Sequence, residues 1–246
     1  MRLNSPKINL IVKACQKASK GLIRDFGEIE NLQVSAKGPG DFVSSADKRT
    51  EKIIIDELQK AHPDYGIITE EAGHINKSNT QNRWIIDPID GTINFLHGIP
   101  HFAISIALKS FDEIVSGLIF DPIKNEMFYA EKNKGAYFNN HRIRVSKKSE
   151  INDCLFVTGR KSKIHFDFQH RRSGSAALDM AYVAAGRFDG FFQHELKIWD
   201  IAAGIILIKE AGGIINDIDL SKTKNLDVIT SSPDIHQKML AKIDNF

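Results

Sequence analysis

Apolar positions recur at helical spacing over residues 6–26, where Ile8, Ile11, Val12, Cys15, Leu22, Ile23 and Phe26 share a face, and this predicts an amphipathic helix. Gly38, Pro39, Gly40 and Asp41 read as a loop between two short extended pieces, LQVS at 32–35 and DFVS at 41–44. A second helix is predicted after Ser45, with Ser44 or Ser45 as its cap and Ile54 and Leu58 on one face. YGIIT (65–69) and RWIID (83–87) read as buried strands, and each runs into carboxylates, Glu70–Glu71 and Asp87. FAISIAL, EIVSGLIF and NEMFYA follow closely, with short turns between them, and predict an antiparallel meander. Beyond it come a short strand near Phe156, an alanine-rich helix over 174–185 and a strand at GFFQ. A strongly apolar helix runs from Trp199 to Ala211 and stops at Gly212–Gly213. The chain closes with a strand at LDVITS and a helix after Pro233. Helices alternating with mixed strands predict an α/β (α+β) layered sandwich.

The length of 246 residues suits a single domain, with an N-terminal α+β half over about 1–145 and a C-terminal α/β half over about 146–246. The formal net charge of +2 gives no reason to expect a nucleic-acid partner. Cys15 and Cys154 lie far apart and read as reduced thiols. Asn9 and Lys13 interrupt the first apolar stretch, and the longest apolar run, Ile201 to Ile208, is too short to span a membrane. The expectation is a cytoplasmic protein without a membrane partner.

The chemistry concentrates in WIIDPIDGTINF, residues 84–95, where a buried strand enters Asp-Pro-Ile-Asp-Gly-Thr. Pro88 fixes the backbone, and Gly91 allows a sharp turn and a close backbone approach to a ligand. This aims Asp87, Asp90 and the Ile89 carbonyl at one point, with the N–H groups of Gly91 and Thr92 facing an anion. Taken singly, the other acidic residues have plainer readings: a solvated loop for Glu70–Glu71, a helix-dipole role for Asp47, a helix-start charge for Asp200. Their convergence would change that. Two bare charges ~4 Å apart repel by about 4 kcal/mol at an effective dielectric of ~20. Five carboxylates would not stay ionised together without cations, and hard oxygen donors with no Cys or His select Mg²⁺ or Mn²⁺ over zinc. A pair of such ions is a standard device of phosphoryl transfer.

Four ordered segments then resemble the inositol monophosphatase family, and most closely its bacterial branch: KGPGDFVSSAD (37–47), ITEEAG (68–73), DPIDGTINF (87–95) and WDIAAGIILIKEAGG (199–213). NFLHGIPHFAISIAL and RRSGSAALDMAYVAAGRFDGFF extend the likeness across the chain. The resemblance implies the αβαβα sandwich of the sugar phosphatases, a homodimer, lithium sensitivity, and two or three Mg²⁺ per site. It implies that Glu70, Asp87 and the Ile89 carbonyl hold one ion and that Asp87, Asp90 and Asp200 hold another. Asp47, Thr92 and Glu70 form the implied catalytic set, with Asp47 and Thr92 steering the attacking water. Gly91, Thr92, Arg171, Gly174, Ser175, Ala176, Gln193 and Asp200 form the implied substrate side. Gln193 stands where the family carries an inositol-contacting Glu, and the stretch between Val157 and Arg171 is shorter than usual.

The implied activity is Mg²⁺-dependent hydrolysis of a small phosphomonoester, with inositol 1-phosphate foremost. Fructose bisphosphate, histidinol phosphate and a 3′-phosphoadenosine nucleotide are the alternatives on the same fold. A haloacid-dehalogenase-type phosphatase needs one residue between its aspartates, whereas Pro88 and Ile89 are two. A different class of protein, a regulatory one binding a macromolecule through Lys147, Lys148, Arg171 and Arg172, is the remaining alternative. His97 and His101, four apart, are separated by Gly98 and Pro100 and read as loop residues.

Overall fold

The computed structural model describes residues 5–29, 38–76, 81–159 and 168–243, with backbone alone for 38–44. Helix α1 (Pro6–Gly27) starts where the Ser5 hydroxyl oxygen accepts from the Ile8 N–H at 3.3 Å, with Pro6 in the first turn. It packs against α2 (Gly38–Ala61). The loop expected at 38–41, the extended piece at 41–44 and the caps at Ser44 and Ser45 are all corrected, because the backbone is already helical from Gly38. Pro39 falls in the first turn, where the missing N–H removes no helical bond. The other extended piece, at 32–35, lies outside the described residues.

Eight strands form one sheet in the order β2-β1-β3-β4-β5-β6-β7-β8. They are β1 (Gly66–Thr69), β2 (Gly73–Ile75), β3 (Asn82–Asp90), β4 (Ala103–Ser110), β5 (Glu113–Asp121), β6 (Glu126–Glu131), β7 (Gly135–Phe138) and β8 (His141–Arg142). The meander is β4 to β6, antiparallel throughout, while β1 and β3 run parallel. Helix α3 (Thr92–Leu96) is the short link between β3 and β4. A second sheet has the order β10-β9-β11-β13-β12. Its strands are β9 (Phe156–Thr158), β10 (His170–Arg171), β11 (Gly190–Leu196), β12 (Ile214–Ile215) and β13 (Leu226–Ser231). Helices α4 (Ala176–Ala184) and α5 (Ile198–Ala211) lie between the sheets, and α6 (His236–Leu240) backs the second.

Side-chain alternation along the strands sorts the residues into these layers. Trp84, Ile86, Ile104, Ile106, Leu118 and Phe120 point toward α1 and α2. Ile85, Ala103, Ala107, Ile119 and Ala130 point toward α4 and α5, and so do Val157 and Phe191 from the second sheet. Phe156 and Phe192 face the outer cluster with Ile235 and Met239. The result is the five-layered αβαβα sandwich of a mixed α+β protein.

Small residues on the inner face of the large sheet bring α5 close. A Cβ at Gly117 would sit 2.8 Å from the Ala203 Cα and 3.0 Å from its carbonyl oxygen. Backbone cannot yield as a flexible side chain does, so Gly117→Ala is expected to cost about 1–3 kcal/mol. Gly21, inside α1, has nothing within 4 Å of its built Cβ, so Gly21→Ala is expected to stabilise by up to ~1 kcal/mol. Urea denaturation of the two variants checks the opposite signs.

Candidate active site

Strand β3 carries the first pair of carboxylates through an irregularity. Residues three apart on a regular strand face opposite sides. Here Asp87 pairs with Ser105 and Asp90 with Ala103, so three steps on β3 match two on β4. This bulge at Pro88–Ile89 turns both carboxylates to the face on which α5 lies. The strand expected at 83–87 is therefore corrected to one that continues to Asp90, and the sharp turn expected at Gly91 follows it, with φ +97°. A side chain there would meet the His101 carbonyl oxygen at 3.1 Å as well as bearing the unfavourable φ.

Asp200 arrives from α5. It sits three residues past Lys197, and its Oδ2 accepts from the Lys197 N–H at 2.8 Å, which closes the helix start. Asp87, Asp90 and Asp200 each offer an oxygen within 4.8 Å of the others. Glu70, at the turn between β1 and β2, lines the same cavity of about 760 Å³. Asp47 lies well inside α2, which removes the helix-start reading, and it is 4% exposed with an Oδ1 that has no partner. Its pKa is pushed up to about 8 by burial and then by Glu71, Glu70 and Glu51. Burial and the neighbouring Asp90, Glu70, Asp200 and Asp47 hold Asp87 well above the ordinary 3.8. Asp200 is raised to about 7 by burial and Asp90. Asp90 is raised less, to about 6, because bonds from Ser175 and the Ala177 N–H (2.9 Å) oppose its burial.

These residues fit a divalent cation. Every side-chain donor is a hard oxygen, one buried oxygen has no partner, and neighbouring carboxylates raise the pKa of Asp47, Asp87 and Asp200. Ile89 lines the cavity, and its carbonyl accepts from the Thr92 hydroxyl at 2.9 Å, which leaves the Thr92 oxygen free to accept from a water.

Most residues expected on a substrate side also line the cavity. Gly91, Thr92, Gly174, Ser175, Ala176 and Gln193 all line it. Gln193 packs on bare backbone, since a Cβ at Gly159 would fall 1.9 Å from its Cδ. Arg171 is corrected: it is exposed, its guanidinium donates to the His170 carbonyl at 2.9 Å, and Arg172 lines the cavity instead. Of the basic residues considered for macromolecular binding, Lys148 is paired with Asp189 at 3.0 Å and Arg172 lines the cavity. His97 caps the end of α3, and His101 rests edge-on against Tyr182, so neither joins the acidic cluster.

Sequence reasoning missed the residues that hold this site together. Glu51, one turn after Asp47, accepts from the Thr69 hydroxyl (2.5 Å) and the N–H groups of Glu71 (3.0 Å) and Ala72 (3.1 Å), and so folds the turn that presents Glu70. Its spacing of four from Asp47 was the available signal. Asn94 donates to the carbonyls of His101 (2.7 Å) and Ser173 (2.8 Å), tying α3 to the entry of α4. Buried Asp179 accepts from Ser173 at 2.5 Å. No sequence pattern marks these last two.

A model of the inositol monophosphatase family matches residues 4–245. The inositol-1-monophosphatase of Rhizobium meliloti (strain 1021) is 48% identical over 230 residues, covering 87% of this chain and 86% of its own length. The Nus factor SuhB of Xylella fastidiosa (strain Temecula1 / ATCC 700964) is 40% identical over 240 residues, with coverage of 92% and 86%. The crystal structure of the extragenic suppressor protein suhB from Bartonella henselae is similar at TM-score 0.86 and 44% identity, covering 98% of this chain and 99% of that one.

The raised carboxylates fix a sign. Their protonated forms are favoured in the folded state, so this contribution to stability is complete below 3.8 and is lost as pH rises through about 6, 7 and 8 for Asp90, Asp200 and Asp47. A bound divalent cation favours the ionised forms instead. The Tm difference between protein with and without Mg²⁺ is therefore expected to grow from pH 5 to pH 8. Taking this difference cancels distant groups such as His236. Asp87→Asn is expected to raise the metal-free Tm at pH 8 and to abolish the Mg²⁺ increment. Calorimetry at the two pH values checks both.

Proposed function

We propose that this chain, which belongs to the inositol monophosphatase family of phosphatase hydrolases, is a Mg²⁺-dependent phosphomonoesterase acting on inositol 1-phosphate. One observation carries this reading: two buried carboxylates from β3 and a half-buried one from α5 meet within 4.8 Å, in a cavity that Glu70, Gly91 and Thr92 also line. Mg²⁺ held by Glu70, Asp87, the Ile89 carbonyl, Asp90 and Asp200 would supply charge neutralisation and water activation, and Mn²⁺ is an equivalent cation for this donor set. Lithium sensitivity belongs to the same proposal.

The chain's own groups do the remaining work. The Thr92 hydroxyl spends its proton on the Ile89 carbonyl and so presents lone pairs to the attacking water. The carboxyl of Asp47, whose Oδ1 has no protein partner, orients the same water from the α2 side and accepts its proton. The N–H groups of Gly91 and Thr92 bind the phosphate oxygens at the start of α3. Gly174, Ser175, Ala176 and Gln193 seat the alcohol. A carboxamide at 193 gives substrate hydroxyls both a donor and an acceptor without a charge. In the pocket the groups are fixed by Glu51, Ser175 and Asn94 rather than recruited by substrate, which favours a near-attack geometry.

We place the protein in the cytoplasm as a homodimer, a state that light scattering would check. No helix among the described residues is long and apolar enough to cross a membrane. A second, compatible role as a Nus factor is favoured by the 40% identity to a protein of that name. Affinity capture from lysate with an inactive variant tests that role apart from catalysis.

Asp90→Asn is expected to cut kcat for inositol 1-phosphate at least ~100-fold while leaving the fold intact, since the amide oxygen still accepts from Ser175 and Ala177. Phosphate release, with circular dichroism as the folding control, checks this. Near-normal turnover would refute the role of Asp90. A panel holding fructose bisphosphate, histidinol phosphate and a 3′-phosphoadenosine nucleotide tests the substrate assignment, with inositol 1-phosphate expected to give the highest kcat/KM.

A further inference from the structure

Glu70 differs from the other four carboxylates in having a cation already beside it. The Lys197 ammonium donates to Glu70 Oε1 at 3.0 Å, whereas Asp47, Asp87, Asp90 and Asp200 form no ion pair among the described residues. Two further contacts fix Lys197. Its own N–H donates to Asp200 Oδ2 at 2.8 Å, and its ammonium lies 5.4 Å from the centroid of the Trp199 ring. A single residue thus engages two of the proposed ligands, one through backbone and one through side chain. It joins the turn after β1 to the start of α5.

We propose that Lys197 is a resident counter-ion that holds down the affinity of the site for divalent cations at Glu70. The inference rests on the metal-binding reading of the site given above. Removing the ammonium leaves the site one unit more negative, and a divalent cation is then held more tightly. The ammonium also occupies one Glu70 oxygen that a cation would otherwise use. Its side chain is 42% exposed, so it can move into solvent as a cation enters. Occupancy of the Glu70 position then follows the supply of the ion instead of saturating at trace amounts. The competing view is an ordinary surface ion pair, which joins two elements and leaves metal binding untouched.

The two views part on Mg²⁺ binding measured without substrate, by titration calorimetry on the full chain. Lys197→Met is expected to tighten Mg²⁺ about threefold to tenfold, the range set by losing one partly screened unit charge. Lys197→Gln, which keeps a donor for Glu70 and loses only the charge, is expected to tighten it as well and serves if the Met variant folds poorly. Lys197→Arg is expected to bind like the unsubstituted chain. In a Glu70→Gln background, Lys197→Met is expected to change the affinity much less. Unchanged or weaker Mg²⁺ binding in the Met and Gln variants, with normal binding by the unsubstituted chain, would overturn this inference alone. Failure of the unsubstituted chain to bind Mg²⁺ would overturn the metal reading and this inference with it.

Discussion

Mutual repulsion among carboxylates that the fold gathers at one junction is the constraint around which the molecule is arranged. Asp87 and Asp90 come from the end of β3, Asp200 from the start of α5, Glu70 from a hairpin turn and Asp47 from the middle of α2. No two of these elements would gather such charge for the sake of stability, since the neighbouring carboxylates raise the pKa of Asp47, Asp87 and Asp200. The cost is met by apolar burial elsewhere and by donors placed on single oxygens: Ser175 and Ala177 on Asp90, and the Lys197 N–H on Asp200. Strain of this kind, kept against the interest of the apo fold, is what a functional site is expected to show.

The scaffold explains how the junction stays rigid. Helix α5 is buried on nearly every side, and the small residues beneath it, Gly117 among them, let it lie close on the large sheet. Its first turn is thereby fixed relative to the end of β3. The bulge at Pro88–Ile89 supplies the other half of the alignment, because without it Asp87 and Asp90 would face opposite layers. The acidic side of the cavity draws on β3, the β1–β2 turn and α5, and the opposite side on α4 and β11. Neither sheet alone would form the pocket.

The order of the elements was legible along the chain, since periodicity alone locates α1, the meander, the two inner helices and the closing strand. The acidic residues were legible as candidates through their four motifs. What the pattern misread was local. A Gly-Pro-Gly run that reads as a loop begins a helix, because Pro is tolerated in the first turn and the helical run beyond it extends backward. Asp87 reads as the end of a strand, yet β3 continues because a bulge lets it keep pairing with β4. The resemblance put Arg171 on the substrate side, whereas its neighbour Arg172 lines the cavity, because adjacent side chains in an extended segment point to different sides and sequence does not say which side meets the cavity.

By itself, then, the sequence determined which residues carry charge, which stretches are amphipathic, and that several acidic residues end or begin buried elements. These are properties of a residue and its near neighbours. Tertiary structure decided which acids meet, that Glu51 shapes the Glu70 turn, that Asn94 ties α3 to α4, and that Lys197 reaches Glu70 across 127 positions. Those outcomes depend on the register of β3 against β4 and on how closely α5 lies on the sheet. Both are set by packing between segments distant in the chain, and no window of sequence contains that information.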